Sequence, residues 1–327
     1  MNRVGQWGNH RTGDSIGEFT ASGTSVFSPM LIGSTQIAAT FAEAFGLRFA
    51  RLVITAHDDH WLAAALAATC GYGTSVIGCD AEIGVETMIP RTASPDGRPA
   101  AAVLAFGFAA EGVAKAVANR AAQCLLTCPT TAVFDGLPAA ADRVPLGGHV
   151  RFFGDGFEKS KVVDGRRFWR VPVMDGEFLV EETMGIAKGV GGGNFILQGT
   201  SLDAALAAAR RAVTAIAAVP GTITPFPGGV VRSGSKVGSR YEALRASTNE
   251  AFSPALVGRV PSELAPGAAC ALEIVIDGVD RDAVAEAMAV GIRAAAGPDV
   301  PAISAGNYGG KLGKHHFHLH EVLQTAP

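Results

Sequence analysis

Charge is scarce in this 327-residue chain: Asp, Glu, Lys and Arg make up 17% of it, and 30 acidic against 27 basic residues leave a net charge of −3. So small an imbalance builds no basic field for nucleic acid. No apolar run approaches the ~18 residues that a bilayer-spanning helix needs, and no basic segment followed by an apolar stretch opens the chain. Cysteine is scarce too, with 5 residues, an odd number that fits reduced thiols rather than a disulfide framework. Cys124 and Cys128, in "CLLTCP", lack the further thiolates at short spacing that an iron–sulfur cluster requires. These absences predict a cytoplasmic protein without nucleic-acid or membrane partners. What is present is apolar: hydrophobic residues at 48% supply a real core, and the length allows two domains of roughly 150 residues each.

Residues 1–29 are rich in Gly, Ser, Thr and Asn and read as a leader or an over-long start, with Met30 as a natural beginning. From Thr40 onward short β-branched runs alternate with Ala-rich helical stretches. Three stretches share one design: "RLVITAHDDHWLAAALAA" from Arg51, "NFILQGTSLDAALAAARRAV" from Asn194 and "EIVIDGVDRDAVAEAMAV" from Glu273. Each offers a polar residue, an apolar strand core, a small turn residue (Ala56, Gly199, Gly278) and a helix N-cap (Asp58, Ser201, Asp280). An acidic residue in the first turn (Asp59, Asp203, Asp282) suits the positive helix end. Such a repeat predicts an α+β fold in β-α-β units, as in two packed ferredoxin-like lobes. Between the repeats, "HVRFFGDGF" and "RRFWRVPVMDGEFLVEET" predict antiparallel strands and hairpins, with a lobe boundary near Met174 and Asp175 that divides 30–174 from 175–323.

Two motifs fall short of the chemistry they suggest. In "GGVVRSGSK" Ser235 intervenes between Gly234 and Lys236, so the Lys is out of place for a phosphate loop. His316, His318 and His320 alternate as on one strand face, but no supporting Cys or carboxylate spacing accompanies them, and no metal is expected. The turn at Phe226, Pro227, Gly228 and Gly229 can serve simply as stiff connection chemistry.

Glu273 interrupts the apolar run "CALEIVIDG". Its counterparts in the repeat are Arg51 and Asn194, so it can be a solvent-facing strand entrance. Only here, however, does an apolar stretch, Cys270-Ala271-Leu272, precede the polar residue and extend the expected strand backwards. On that strand Glu273 shares a face with Ala271 and Val275, whose modest apolar side chains would desolvate a carboxylate and raise its pKa. A neutral carboxyl can donate a hydrogen bond to a developing negative charge.

The stretches "TFAEAFG", "LVITA", "SVIGCDAEIGVE", "SPDGRP", "CLLTCPTTAVFD", "FFGDGFEKSK", "TPFPGGVVRSGSKVGS", "EIVIDGVD", "SAGNYGGKLGK" and "FHLHEVL" occur in order from Met30 to Leu323. With them the chain resembles the formylmethanofuran–tetrahydromethanopterin formyltransferases. The resemblance implies reversible transfer of a formyl group from formylmethanofuran to N5 of tetrahydromethanopterin, with both coenzymes as co-substrates and no prosthetic group. It implies two ferredoxin-like lobes, a homodimer or homotetramer, and, in methylotrophic bacteria, hydrolase-complex subunits as partners. The family's buried acid, protonated to stabilise the tetrahedral oxyanion, matches Glu273. Candidate substrate contacts are Phe226, Pro227 and Gly228 for packing, Asn307 and Tyr308 for polar contacts, and Arg232 and Lys236 for anionic tails. The alternative is a non-catalytic scaffold subunit of a formyltransferase–hydrolase complex.

Overall fold

The computed structural model describes residues 30–325, so the expected leader at 1–29 lies outside the described residues. Strands β1 (Met30–Ile32), β2 (Thr35–Ile37) and β3 (Phe41–Thr55) come first. Helix α1 (Asp59–Cys70), β4 (Glu82–Ile89), β5 (Ala100–Gly107), α2 (Ala110–Arg120) and β6 (Ala132–Asp135) follow. Then come β7 (Asp142–Pro145), the short α3 (Gly147–Val150), β8 (Lys159–Val163), β9 (Arg166–Val173) and β10 (Gly176–Glu181). The second half contains β11 (Thr183–Gly199), α4 (Leu202–Ile216), β12 (Thr222–Ile223), β13 (Lys236–Val237) and β14 (Ala246–Ser247). It closes with β15 (Cys270–Gly278), α5 (Arg281–Ala295), β16 (Ala302–Ser304), β17 (His315–His318) and α6 (Leu319–Thr325).

The three predicted strand-to-helix turns form as their caps dictate. Asp58 Oδ1 accepts the Trp61 N–H at 3.1 Å, Ser201 Oγ that of Ala204 at 3.1 Å, and Asp280 Oδ1 that of Ala283 at 2.8 Å. Each satisfies one of the free N–H groups of a first helical turn. A fourth strand-to-helix step, from β5 into α2, has Ala109 at its N-cap with no side-chain bond, which is why the cap pattern did not reveal it.

Two β-α-β-β-α-β units result. In the first, β6, β3, β5 and β4 lie side by side in that order, all antiparallel. The order in the second is β16, β11, β15 and β12, again antiparallel throughout. Both units therefore order their strands 4-1-3-2. β11 also pairs antiparallel with β3, from Ala187 opposite Phe49 to Gly191 opposite Phe45, and this seam joins the units into one large mixed α+β sheet. The hairpin β9–β10 turns at Met174 and Asp175, as its alternation predicts.

Two apolar cores fill the space between sheet and helices. One gathers Leu52, Ile54, Leu62, Val103, Val113 and Met184; the other Phe195, Ile274, Ile276, Met288, Ile303 and Phe317. The Ala-rich α4 buries Ala205, Ala208, Ala209 and Ala212, small side chains that let the helix lie close on the sheet. Sequence order does not separate the cores at Met174: Ile37, Ala42 and Ala44 pack in the second, while Phe178, Val180 and Ile186 pack in the first.

Three expectations are corrected. The strands of the first two repeats extend backwards as well, β3 to Phe41 and β11 to Thr183, so Arg51 and Asn194 are mid-strand residues rather than entrances. Antiparallel pairing of β3 with β11 satisfies the backbone of these extensions, and no local apolar run is needed to hold them. "HVRFFGDGF" is not a strand: α3 and a 3-10 turn at Arg151–Gly154 occupy it. Finally, β17 ends at His318 and His320 lies on α6, where its Nε2 bonds the Ile37 carbonyl at 3.0 Å, so the three histidines do not share a strand face.

Candidate active site

A cleft of about 540 Å³ opens where the two units meet along the β3–β11 seam. The first unit contributes Glu43, Phe45 and Leu47 from β3, the 74–79 loop and Glu82. The second contributes Gly191, Gly192 and Asn194 from β11, Glu273 and Val275 from β15, and the loops carrying Phe226, Val231, residues 233–237 and Tyr308. The lining is mainly apolar with a few converging polar groups, the usual character of a small-molecule site.

Alternation along β15 sends Leu272, Ile274 and Ile276 into the core and leaves Glu273 and Val275 facing the cleft. Glu273 is no entrance residue. It pairs across to Ile196 of β11 on one side, and on the other it exchanges both backbone hydrogen bonds with Val231, at 2.8 and 3.0 Å. No hydrogen bond or ion pair to a described residue holds its carboxyl. Burial therefore acts without opposition and pushes its pKa up from 4.5 to about 7.

Glu43 has the opposite environment. Only 1% exposed, its carboxylate accepts four backbone N–H groups: Tyr308 at 2.7 Å and Gly310 at 2.8 Å on Oε2, Leu312 and Gly313 at 2.6 Å each on Oε1. Burial pushes its pKa up, but the four N–H donors outweigh burial and hold the group below its ordinary value. Glu43 is thus a fixed anion that pins the 308–313 loop, and Tyr308 with it, against the cleft.

Asn194 pins the start of the same loop. Its Oδ1 accepts the Gly306 N–H at 2.6 Å, and its Nδ2 donates to the carbonyls of Gly306 and Gly192 at 3.1 Å each. This sets Gly306 beside Glu273: a Cβ at position 306 would stand 3.6 Å from Glu273 Oε1 and 3.3 Å from Asn194 Oδ1. Gly191 is under tighter constraint, since a Cβ there would lie 2.3 Å from Leu47 Cδ1 and 2.8 Å from Asp277 Oδ1.

Among the predicted contacts, Phe226, Lys236 and Tyr308 line the cleft with Glu273, whereas Pro227, Gly228, Arg232 and Asn307 do not. Pro227 and Gly228 are exposed in a 3-10 turn and Arg232 is exposed beyond Val231. Asn307 spends its amide on Thr40 Oγ1 and the Phe41 carbonyl, at 3.3 Å each, so it holds the loop from outside. Lys236 is already paired with Glu250. Sequence reasoning missed Glu43, Glu82, Asn194 and Asp277. Asp277 was within reach of it, because a period of two carries the cleft face of β15 from Glu273 through Val275 to Asp277.

The chain matches two family models in succession. Residues 30–173 match formylmethanofuran-tetrahydromethanopterin formyltransferase, and residues 176–322 match the proximal lobe of the same family. A formylmethanofuran–tetrahydromethanopterin formyltransferase of Rhodopirellula baltica is 49% identical over 90% of this chain and 93% of its own. The solved formylmethanofuran:tetrahydromethanopterin formyltransferase of Methanosarcina barkeri superposes with a TM-score of 0.85 at 44% identity, over 90% of this chain and 99% of that one. The formyltransferase/hydrolase complex of Methylorubrum extorquens, solved with methylofuran, contains a chain with a TM-score of 0.87 at 44% identity, over 91% of this chain and 99% of that one. By sequence along nearly all of its described length and by fold alike, the chain belongs to the formylmethanofuran–tetrahydromethanopterin formyltransferase family.

Proposed function

We propose that this formyltransferase moves a formyl group reversibly between formylmethanofuran and N5 of tetrahydromethanopterin in the cleft around Glu273. The single observation that carries the reading is the Glu273 carboxyl: half-buried, facing the 540 Å³ cleft without a hydrogen bond or ion pair to a described residue, and pushed by desolvation up to about 7. Attack of a neutral amine on the formyl carbon converts the C=O π bond into an oxyanion. The protonated Glu273 donates its O–H to that oxygen, a contribution of about 3–4 kcal/mol for one such donor. As the tetrahedral intermediate collapses, the attacking nitrogen gives up its proton and the departing amine gains one. The reverse reaction passes through the same intermediate, so one donor serves both directions.

Much of the remaining acceleration is assigned to holding two large coenzymes in line. Phe226, Phe45 and Tyr308 offer apolar and aromatic surface for this, and Lys236 lies at the cleft where an anionic tail could exchange for Glu250. Neither coenzyme requires a resident group in this mechanism, so the protein is read as free of a prosthetic group. The 4-1-3-2 order of both units supports two ferredoxin-like lobes. Hydrolase-complex subunits as partners are supported by the relative in the M. extorquens complex, while a homodimer or homotetramer is what the family resemblance implies. Phe152, Phe153 and Phe157, exposed by 65%, 67% and 75%, support a subunit contact in this region. No described helix is long and apolar enough to cross a membrane, and a cytoplasmic setting is the reading that fits the free thiols. No observation favours the scaffold alternative. The test is an assay of the pure protein with both coenzymes: formation of the formylated pterin supports the reading, and a protein that binds both without transfer overturns it.

A further inference from the structure

Asp277 is the second carboxyl on the cleft side of β15 and is completely buried. Its Oδ1 accepts the Gly192 N–H at 2.9 Å, whereas its Oδ2 meets no N–H or hydroxyl donor among the described residues. The Glu82 carboxyl, 7% exposed, stands in hydrogen-bond contact with it. Glu82 in turn accepts the Val76 N–H at 3.0 Å on Oε1 and is bonded by the Ser75 side chain.

Two carboxylates in contact in a desolvated site cannot both ionise. Burial raises the pKa of both acids, and repulsion from Glu82 raises Asp277 further. Glu43 on β3, Glu273 on β15 and Tyr308 on the C-terminal loop are acids; of the cations lining the cleft, Lys236 is paired with Glu250, and neither it nor Arg245 acts on Asp277 or Glu82, so the pair has no countercharge among the described residues. A proton between the two carboxyls supplies the donor that Oδ2 lacks and leaves the pair a single charge.

The two anchors lie on opposite walls. Gly192 belongs to the bulge that breaks the β11 register between Val190 and Gly193, next to the β3 seam. Val76 and Ser75 belong to the 74–79 loop of the first unit. We propose that Asp277 and Glu82 share one proton in a carboxyl–carboxylate hydrogen bond that clamps the 74–79 wall of the cleft to the Gly191–Gly192 bulge and thereby positions the coenzyme-binding surface. Both are positioning residues; their effect on turnover rests on the reading of this cleft as the active site, while the shared proton does not.

The test has two arms on the full chain. Infrared difference spectra at neutral pH are taken in a Glu273→Gln background, which removes the other acid with a raised pKa on β15. A protonated-carboxyl C=O band is expected there and is expected to vanish in Glu273→Gln/Asp277→Asn, because the Asn amide then donates to an ionised Glu82. Absence of the band in the first protein, or its persistence in the second, overturns the shared proton. In the kinetic arm, Glu82→Ala is expected to raise a coenzyme KM about tenfold while kcat changes by less than about threefold, since uniform binding is lost. Asp277→Asn keeps an acceptor for Gly192 and a donor for Glu82, and should rescue the clamp to within about threefold of the original KM. An Asp277→Asn KM as high as that of Glu82→Ala, or an unchanged KM in a folded Glu82→Ala protein, overturns the positioning role. If neither coenzyme reacts with the unaltered protein, the formyltransferase reading fails, and the infrared arm still decides the proton.

Discussion

The Glu43 carboxylate accepts the backbone N–H of Tyr308 at 2.7 Å across 265 residues of chain. With three further N–H donors it nails the C-terminal loop to the long strand β3. Glu43→Gln puts an NH₂ where two of those N–H groups point, and each stranded donor costs about 1–3 kcal/mol. The variant should melt several degrees lower and show a raised coenzyme KM, because Tyr308 loses its position. The pH sign follows from the lowered pKa. Stability from Glu43 is present above the unfolded value near 4.5 and is lost as pH falls through the folded value below it. Acid titration of the melting temperature, compared between the two proteins, checks this.

Glu273→Ala removes the proposed oxyanion donor and should cost about 10²–10³ in kcat while the protein stays folded. Glu273→Gln keeps a neutral, weaker donor and should retain more activity than Ala. With Glu273 active in its protonated form, kcat/KM should fall as pH rises through about 7, and that limb should flatten in the Gln variant. Full activity in Glu273→Ala would sink the assignment.

The raised pKa of Glu273 also predicts a stability difference. Its folded value of about 7 exceeds the unfolded 4.5, so the stabilisation associated with its proton is full below 4.5 and is lost as pH rises towards and through 7. The melting temperature of the unaltered protein, measured relative to Glu273→Gln, should drop across that window. A constant difference would show that the acid is ionised in the folded protein.

Asn194→Ala leaves the Gly306 N–H without its acceptor and frees the loop beside Glu273. A loss of about 1–3 kcal/mol in unfolding free energy is expected from denaturant titration. Turnover should fall as well, since Gly306 shapes the space next to the acid.

Gly191→Ala tests the seam. The added methyl would stand 2.3 Å from Leu47 Cδ1, so Leu47 must move or the two units must separate along β3 and β11. Weaker coenzyme binding together with a lower melting temperature is the expected pair of effects.

Local chemistry made part of this legible from the amino acids. The N-caps Asp58, Ser201 and Asp280, the hairpin at Met174 and Asp175, and the core-facing Leu272, Ile274 and Ile276 follow from spacing and alternation, which depend on near neighbours in the chain. The extensions of β3 and β11 escape such reading because their backbone partners lie far along the chain, and tertiary pairing overrides the local pattern. In "HVRFFGDGF" the backbone bonds are local, from the His149 and Val150 N–H groups to the Leu146 carbonyl and from Asp155 to Phe152, and the alternating pattern misleads there.

Glu273 marks the division. Alternation along the chain is enough to place a carboxyl in an apolar strand with its side chain opposite the core, because a period of two leaves no other face. That this face looks into a cleft rather than into water comes from the assembled fold. Strand pairing to β11 and Val231 closes the strand on both sides, and the meeting of the two units excludes the solvent that would otherwise stabilise its charge. Whether a carboxyl gains a countercharge, four N–H donors as Glu43 does, a second carboxyl as Asp277 does, or no partner as Glu273 does, is fixed by residues distant in the chain. Desolvation and pairing are properties of that assembled neighbourhood, and they set the chemistry of each acid.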